Sequence, residues 1–248
     1  MRVFVTGASG FIGSQLVRWL LEQGHEVRVL DNFSSGNPEL LGSAVKWVEL
    51  IEGDIRDMST LQKAANRMEV IFHLAGLVSF VESIEDPLRA QTVNCTGSLQ
   101  VLEAARLAGV NRLVQASSSA VYGNNECLPV SEGELPQPLS PYATTKLSAE
   151  YSGKLYTHLY DVETVSLRFF NVYGPRQDPG SPYAAVVPKF IEALCAGKQP
   201  IIYGDGQQSR DFIFVGDIVR ALWTAAITPG IGGEVFNVGS GKQHSILY

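Results

Sequence analysis

A short apolar strand candidate, Arg2 to Thr6, runs into Gly7-Ala8-Ser9-Gly10-Phe11-Ile12-Gly13, and helix-patterned sequence follows at once. Three glycines so spaced between a strand and a helix suit few folds. Gly7 can take the tight turn, Gly10 keeps the backbone clear for a close approach, and Gly13 lets the helix pack on the strand. The first turn of such a helix offers unpaired N–H groups and a partial positive charge, which suit a pyrophosphate. From Phe11 to Gln23 the apolar residues Phe11, Ile12, Leu16, Val17, Leu20 and Leu21 recur at helical spacing.

The alternation of strand and helix continues along the chain. Glu26 to Leu30, Val70 to Ala75, Arg112 to Ala116 and Thr164 to Phe169 are short runs rich in Val, Ile, Leu and Phe, and a further strand candidate ends before Gly53-Asp54. Continuous apolar strands suit a parallel sheet buried on both faces. Leu88 to Ala108 and Ala143 to Tyr160 read as helices between them. This pattern predicts an α/β fold, a doubly wound parallel sheet of the Rossmann type. After Phe170 the texture changes. Pro175, Pro179, Gly180, Pro182 and Pro188 predict loop, followed by a helix at Pro188 to Ala196 and strands at Ile201 to Tyr203 and Val235 to Val238. The expected organisation is a Rossmann domain over 1–170, with returns to it near 211–228 and 234–239, and a smaller lobe over most of 171–248.

The chain has 248 residues and a net charge of -6, so it carries no basic footprint for nucleic acid or an anionic membrane. No apolar run approaches the ~20 residues that cross a bilayer, and the N-terminus lacks the signature of a signal peptide. Cys95, Cys127 and Cys195 are scattered, as expected of free thiols in a reducing cytosol. The four histidines show no metal-ligand spacing, and no metal is expected; His73, inside the apolar run VIFHLAG, reads as a packed strand residue.

Asp31 ends the second strand, where an acid can bond the adenosine ribose hydroxyls of a dinucleotide. A carboxylate there repels a 2′-phosphate, which predicts NAD rather than NADP. Asp31 could instead cap the loop before Asn32. Asp54 and Ile55, after the third strand, are placed to meet the adenine by hydrogen bonding and packing.

Ser140-Pro141-Tyr142-Ala143-Thr144-Thr145-Lys146 predicts a helix start, with Ser140 as cap and Pro141 in the first turn. Tyr142 and Lys146 then share one face. A nearby ammonium favours tyrosinate, so the Tyr142 pKa is expected to fall from ~10 toward neutrality. Such a tyrosinate can act as general base on a sugar hydroxyl while hydride leaves the same carbon. Ser117-Ser118-Ser119 ends a strand on the side where parallel sheets bind ligands, so one of the three hydroxyls can hold the substrate oxygen near Tyr142.

These residues resemble the extended short-chain dehydrogenase/reductase family, and most closely its NAD-dependent nucleotide-sugar epimerases of the UDP-glucose 4-epimerase type. The resemblance rests on GASGFIG at 7–13, DNFSSG at 31–36, GDIRD at 53–57, HLAG at 73–76, SSSAVYG at 117–123, YATTK at 142–146, RFFNVYGPRQDP at 168–179 and SRDFIFVGD at 209–217. It implies Ser118, Tyr142 and Lys146 as the catalytic trio. It implies NAD contacts at Gly7, Gly10, Phe11, Ile12, Gly13, Asp31, Asn32, Ser35, Gly36, Asp54 and Ile55. Leu74, Ala75, Gly76, Ala116, Phe169 and Val172 complete that set, with Tyr142 and Lys146. For the substrate, a nucleotide sugar expected to be UDP-linked, it implies Ser79, Ser118, Ser119 and Tyr142 at the sugar, Asn171 and Arg210 at the diphosphate, and Val187, Ile201 and Tyr203 at the nucleobase.

The implied reaction is epimerisation at C4 through a 4-keto sugar. The family's dehydratases carry acidic residues where this chain has Ser119 and Ala120, so elimination of water is disfavoured. A related dehydratase or reductase, or a dinucleotide-binding protein without turnover, are the alternative readings. Relatives extend into a further helical, basic segment beyond the position of Tyr248, so the substrate lobe is expected to be incomplete. A homodimer through the apolar helices 88–108 and 143–160 is implied by the same resemblance.

Overall fold

The computed structural model describes residues 1–125, 127–180 and 185–247. Pro182, read above as loop, lies outside them. The first strand, β1 (Arg2–Thr6), has Val3, Phe4 and Val5 fully buried. Val3 and Val5 point into one core and Phe4 into the other, because alternate residues of a strand face opposite sides. A core on each face explains why the strand is apolar throughout.

Around β1 lie β2 (Glu26–Asp31), β3 (Val48–Glu52), β4 (Val70–His73), β5 (Arg112–Ser118), β6 (Glu163–Phe169) and β10 (Val235–Val238). They form one seven-stranded sheet in the order β3-β2-β1-β4-β5-β6-β10, and every adjacent pair is parallel. Chain direction across the sheet reverses between β1 and β4. The crevice at such a reversal, outside the carboxyl ends of the strands, is where open α/β sheets bind ligands. Helices α1 (Phe11–Glu22) and α8 (Val215–Ile227) cover one face, where Leu16, Leu20, Ile218 and Leu222 are buried. Helices α2 (Met58–Ala65), α5 (Gly97–Ala108) and α6 (Pro141–Tyr160) cover the other.

The smaller elements gather at the carboxyl end of the sheet. They are α3 (Phe80–Glu85), α4 (Pro87–Ala90), α7 (Val186–Cys195), the parallel pair β7 (Asn171–Tyr173) with β9 (Phe212–Phe214), and the antiparallel pair β8 (Ser209–Arg210) with β11 (His244–Ser245). Two expectations are corrected. The helix expected from Leu88 to Ala108 is not uniform: α4 passes through a π-helical stretch at Gln91–Thr96 before α5 begins. Asn94 within that stretch turns its side chain onto the chain after β4. The strand expected at Ile201 to Tyr203 is irregular chain. Pro200 precedes it and Gly204, at φ 77, ends it, and Ile201 and Tyr203 stand exposed rather than packed between strands.

Candidate active site

The glycine turn forms a cradle at the β1 end. Gly7 has φ 72, and a Cβ on it would lie 2.5 Å from the Ala75 backbone nitrogen. The turn is therefore pressed against the chain that leaves β4, which carries Leu74, Ala75 and Gly76. A Cβ on Gly13 would lie 2.1 Å from the Gly7 carbonyl oxygen. Gly10 is different: its Cβ would meet only that same oxygen, at 3.3 Å. As the N-cap of α1, Gly10 supplies no side-chain cap, so the first-turn N–H groups around Phe11 and Ile12 face open space. The Ser9 hydroxyl is buried there with no partner among the described residues. A bare, positively polarised turn with an orphaned hydroxyl fits a pyrophosphate.

Asp31 is buried beside this cradle. Its carboxylate accepts the Ser9 N–H at 2.8 Å and the Phe33 N–H at 2.9 Å, so it ties the β2 loop to the glycine turn. Ser35 is exposed on that loop, and Gly36 backs onto Ser9. Asn32 donates to the Asp54 carboxylate at 2.9 Å, and Arg56 grips the same carboxylate through Nε and Nη2, each at 2.8 Å. The Arg56 side chain, with its backbone N–H and Asn32, holds the Asp54 carboxyl far below the usual carboxylate range. Ile55 is buried in the core against Gly97.

The candidate reacting face is built where β5 ends and α6 begins. The strand runs beyond the expected Ala116 to Ser118, and the geometry separates the three serines. Ser117 donates to buried Glu150 at 2.5 Å. Ser118 accepts the Ala120 N–H at 3.1 Å, and its hydroxyl favours the phenolate form of Tyr142. Ser119 begins a 3-10 turn. Helix α6 starts where Ser140 accepts the Ala143 N–H at 3.1 Å and Pro141 occupies the first turn. The Tyr142 N–H goes to Ser83 of α3, also at 3.1 Å.

Lys146 follows one turn later, with Nζ donating to the Ala116 carbonyl at 3.1 Å and lying 5.9 Å from the centre of the Tyr142 ring. Burial lowers the Lys146 pKa to about 8, against the opposing influence of Cys95 and Glu150. The expected fall in the Tyr142 pKa is corrected. Burial raises it, because a phenolate loses its water, and the Ser118 hydroxyl only partly opposes this.

Two residues absent from the sequence reading complete this face. Asn94 accepts the Leu77 N–H at 2.8 Å and donates to the Leu77 carbonyl and to Thr145 Oγ1, both at 3.0 Å. It pins the 74–77 segment to α6. Nothing in the sequence distinguishes it from the other polar residues of the 88–108 stretch, Gln91 and Gln100 among them. Ser83, the anchor of the Tyr142 N–H, has no sequence signal because α3 is too short to show a period. His73 is indeed packed: its ring meets Thr6 at 2.8 Å and Ser98 at 2.9 Å.

Beside the reacting face, a cleft of about 280 Å³ gathers Asn171, Val172, Val187, Ile201, Tyr203 and Arg210 in one wall system. Phe169 pairs in register with Ser118, so β6 leads directly from the serines into this cleft. Asn171 is fixed by the Asp211 carbonyl, which accepts both its N–H and its amide at 3.0 Å. The Arg210 guanidinium donates to the Ser209 carbonyl at 2.8 Å and is otherwise exposed. Ser79 caps α3 by accepting the Glu82 N–H at 3.1 Å. Among the described residues no cluster of His, Cys, Asp and Glu could hold a metal ion, and no helix is long and apolar enough to cross a membrane.

The chain as a whole is similar to known proteins. Residues 3–239 match the NAD dependent epimerase/dehydratase family. A UDP-glucose 4-epimerase of Mycolicibacterium smegmatis is 46% identical over 249 residues, spanning 99% of this chain and 79% of that protein. The structure of a UDP-N-acetylglucosamine 4-epimerase from Methanobrevibacter ruminantium, in complex with UDP-N-acetylmuramic acid, superposes with a TM-score of 0.95 at 42% identity, over 99% of this chain and 78% of that one. A Thermus thermophilus UDP-glucose 4-epimerase in complex with NAD superposes with a TM-score of 0.89 at 38% identity, over 99% and 80% of the two chains. Identity and shape agree over nearly the whole chain: the chain belongs to the NAD-dependent epimerase/dehydratase family.

Proposed function

We propose that this chain inverts C4 of a UDP-linked sugar by reversible oxidation to the 4-keto sugar. The observation that carries this reading is the pairing of Tyr142 and Lys146 on one face at the start of α6, with Lys146 Nζ 5.9 Å from the Tyr142 ring and donating to the Ala116 carbonyl near the end of β5. Bound NAD would supply the hydride acceptor and donor, and a cationic ring whose charge favours the Tyr142 phenolate. The phenolate oxygen takes the proton from the sugar 4-hydroxyl and later returns it. The Ser118 hydroxyl holds the same sugar oxygen, and Ser119 and Ser79 approach the ring. The Lys146 ammonium stabilises the phenolate across a dry gap, where charge acts more strongly than in water.

The cofactor's pyrophosphate would rest on Gly7, Gly10, Phe11, Ile12 and Gly13. Its adenosine would be held by Asp31, Asn32, Ser35, Gly36, Asp54 and Ile55, and its nicotinamide end by Leu74, Ala75, Gly76, Ala116, Phe169 and Val172. Asn171 and Arg210 would meet the substrate diphosphate, a suitable task for an amide and a guanidinium. Val187, Ile201 and Tyr203 would take the nucleobase. The lobe over 171–248 would then be the substrate lobe, and 1–170 with its returns the cofactor domain. Ser119 and Ala120 follow Ser118 with no carboxyl group, which favours epimerisation over loss of water.

A homodimer is part of this reading. Leu99 and Leu107 of α5 and Tyr151, Leu155 and Leu159 of α6 form an exposed apolar face suited to a second copy. The three cysteines are free, as in a cytosolic enzyme. The test incubates the protein with UDP-glucose, UDP-galactose and their N-acetyl analogues, with and without added NADH. Interconversion of the 4-epimers with no net consumption of NADH is expected. Tyr142→Phe should abolish turnover while NAD stays bound; a Tyr142→Phe protein that turns over normally refutes the reading.

A further inference from the structure

Behind the reacting face lies an ion pair that the reaction itself does not use. Glu150 and Arg168 are 4% and 5% exposed. Arg168 grips the carboxylate with two bonds, Nε to Oε1 at 2.9 Å and Nη2 to Oε2 at 2.7 Å. Ser117 donates to the same Oε1. On its other side Arg168 donates to the Tyr122 hydroxyl at 2.7 Å, and that hydroxyl donates to Asn237 at 2.6 Å. One network therefore ties α6, β5, β6, β10 and the turn after Ser118.

Burying two charges is costly, and well-packed apolar residues of similar volume are often at least as stable. The pair is a poor device for stability alone, but bidentate geometry makes it a good device for register. Ser117 and Arg168 are register partners on β5 and β6, and Glu150 sits one turn beyond Lys146 on α6. Successive residues of a strand point to opposite faces, so anchoring Ser117 also fixes the direction of Ser118.

We propose that the Glu150–Arg168 pair is the positioning element of the reacting centre, holding α6 against the ends of β5 and β6 so that Ser118 meets Tyr142. This rests on Ser118, Tyr142 and Lys146 being the reacting residues. A displacement of 1 Å at a reacting group can lower a rate about 10²-fold. The effect therefore falls on turnover more than on substrate affinity. The groups facing the Tyr142 phenol and its lysine are Ser118 from β5, Lys146 and Glu150 from α6, Cys95 from the π-helical stretch and His73 from β4.

Two variants test this. Glu150→Leu with Arg168→Met removes both charges together, so neither is left buried alone. Ser117→Ala cuts only the link between the pair and β5. For each, kcat per bound NAD, KM for UDP-glucose, NAD content and the ultraviolet titration of Tyr142 are measured, with Tyr142→Phe as the titration blank. Both variants should keep NAD and a near-normal KM, while kcat falls roughly 10- to 100-fold. The Tyr142 titration should move upward as the Ser118 hydroxyl is displaced from the phenol. Wild-type kcat and an unmoved titration in Ser117→Ala overturn the proposal, whether or not the double variant folds. A change confined to thermal stability overturns it as well. Normal turnover by Tyr142→Phe would instead refute the assignment of the reacting residues.

Discussion

Lys146 donates to the Ala116 carbonyl at 3.1 Å, joining α6 to the end of β5, where Ser118 favours the phenolate form of Tyr142. Its neighbour Ser117 is occupied by Glu150, and Ser119 begins the 3-10 turn that follows. Ser118→Ala should lower kcat roughly 10²- to 10⁴-fold, the usual scale for a positioned proton-transfer group. Ser119→Ala should cost much less. Equal losses in the two variants, measured by conversion of UDP-galactose to UDP-glucose, would show that the serine is wrongly assigned.

The glycine turn separates folding from cofactor binding. Gly7→Ala places a Cβ at positive φ and 2.5 Å from the Ala75 nitrogen, so it should destabilise the fold by more than the ~1–2 kcal/mol of the backbone conformation alone. Gly10→Ala meets protein only at 3.3 Å and should leave the urea midpoint nearly unchanged. Its methyl group would intrude on the open side of the turn and weaken NAD binding at least tenfold. Calorimetric NAD titrations beside denaturation curves check both outcomes. A strongly destabilised Gly10→Ala protein would contradict the open turn.

What the sequence reveals follows the range of each interaction. The glycine turn and the strands around it are legible because their signals are local: apolar runs, spaced glycines and a Ser-Pro helix start. Ile201 to Tyr203 misleads because an apolar triplet looks alike whether it pairs in a sheet or lines an open cleft. The three serines are indistinguishable in the sequence because Glu150 and Tyr142, which tell them apart, lie distant in the chain. Asn94 and Ser83 are hidden for the same reason, since their partners Leu77, Thr145 and Tyr142 are joined to them only by folding. The Tyr142 pKa is misjudged because burial, invisible in a motif, outweighs the expected help from Lys146.

His73 supplies a pH dependence of stability. Burial, helped by the Lys146 charge, lowers its pKa to about 3, from an ordinary value near ~6.5 in the unfolded chain. Between these values the unfolded state binds the extra proton. Stability is therefore complete above pH ~6.5 and is lost progressively as pH falls toward 3. His73→Gln keeps a polar bridge between Thr6 and Ser98 without a titrating ring. Urea midpoints from pH 7 down to about 4.5 should fall more steeply for the wild type than for this variant. Parallel curves would mean that His73 is protonated without cost.

The exposed leucines on α5 and α6 give the oligomeric state a direct test. Leu155 is 52% exposed and Leu159 54%, on a helix that is held to the core through Tyr156. Leu99 and Leu107 continue the apolar surface on α5. Fully burying a leucine is worth about 1.5–3 kcal/mol, whereas an unpaired carboxylate in the same place must be desolvated. Leu99→Glu with Leu155→Glu should therefore convert a dimer into a monomer in sedimentation velocity while leaving the fold and NAD binding intact, because neither side chain belongs to a core. A wild-type chain that sediments only as a monomer at tens of micromolar would remove the dimer from the proposed function without touching the chemistry at Tyr142.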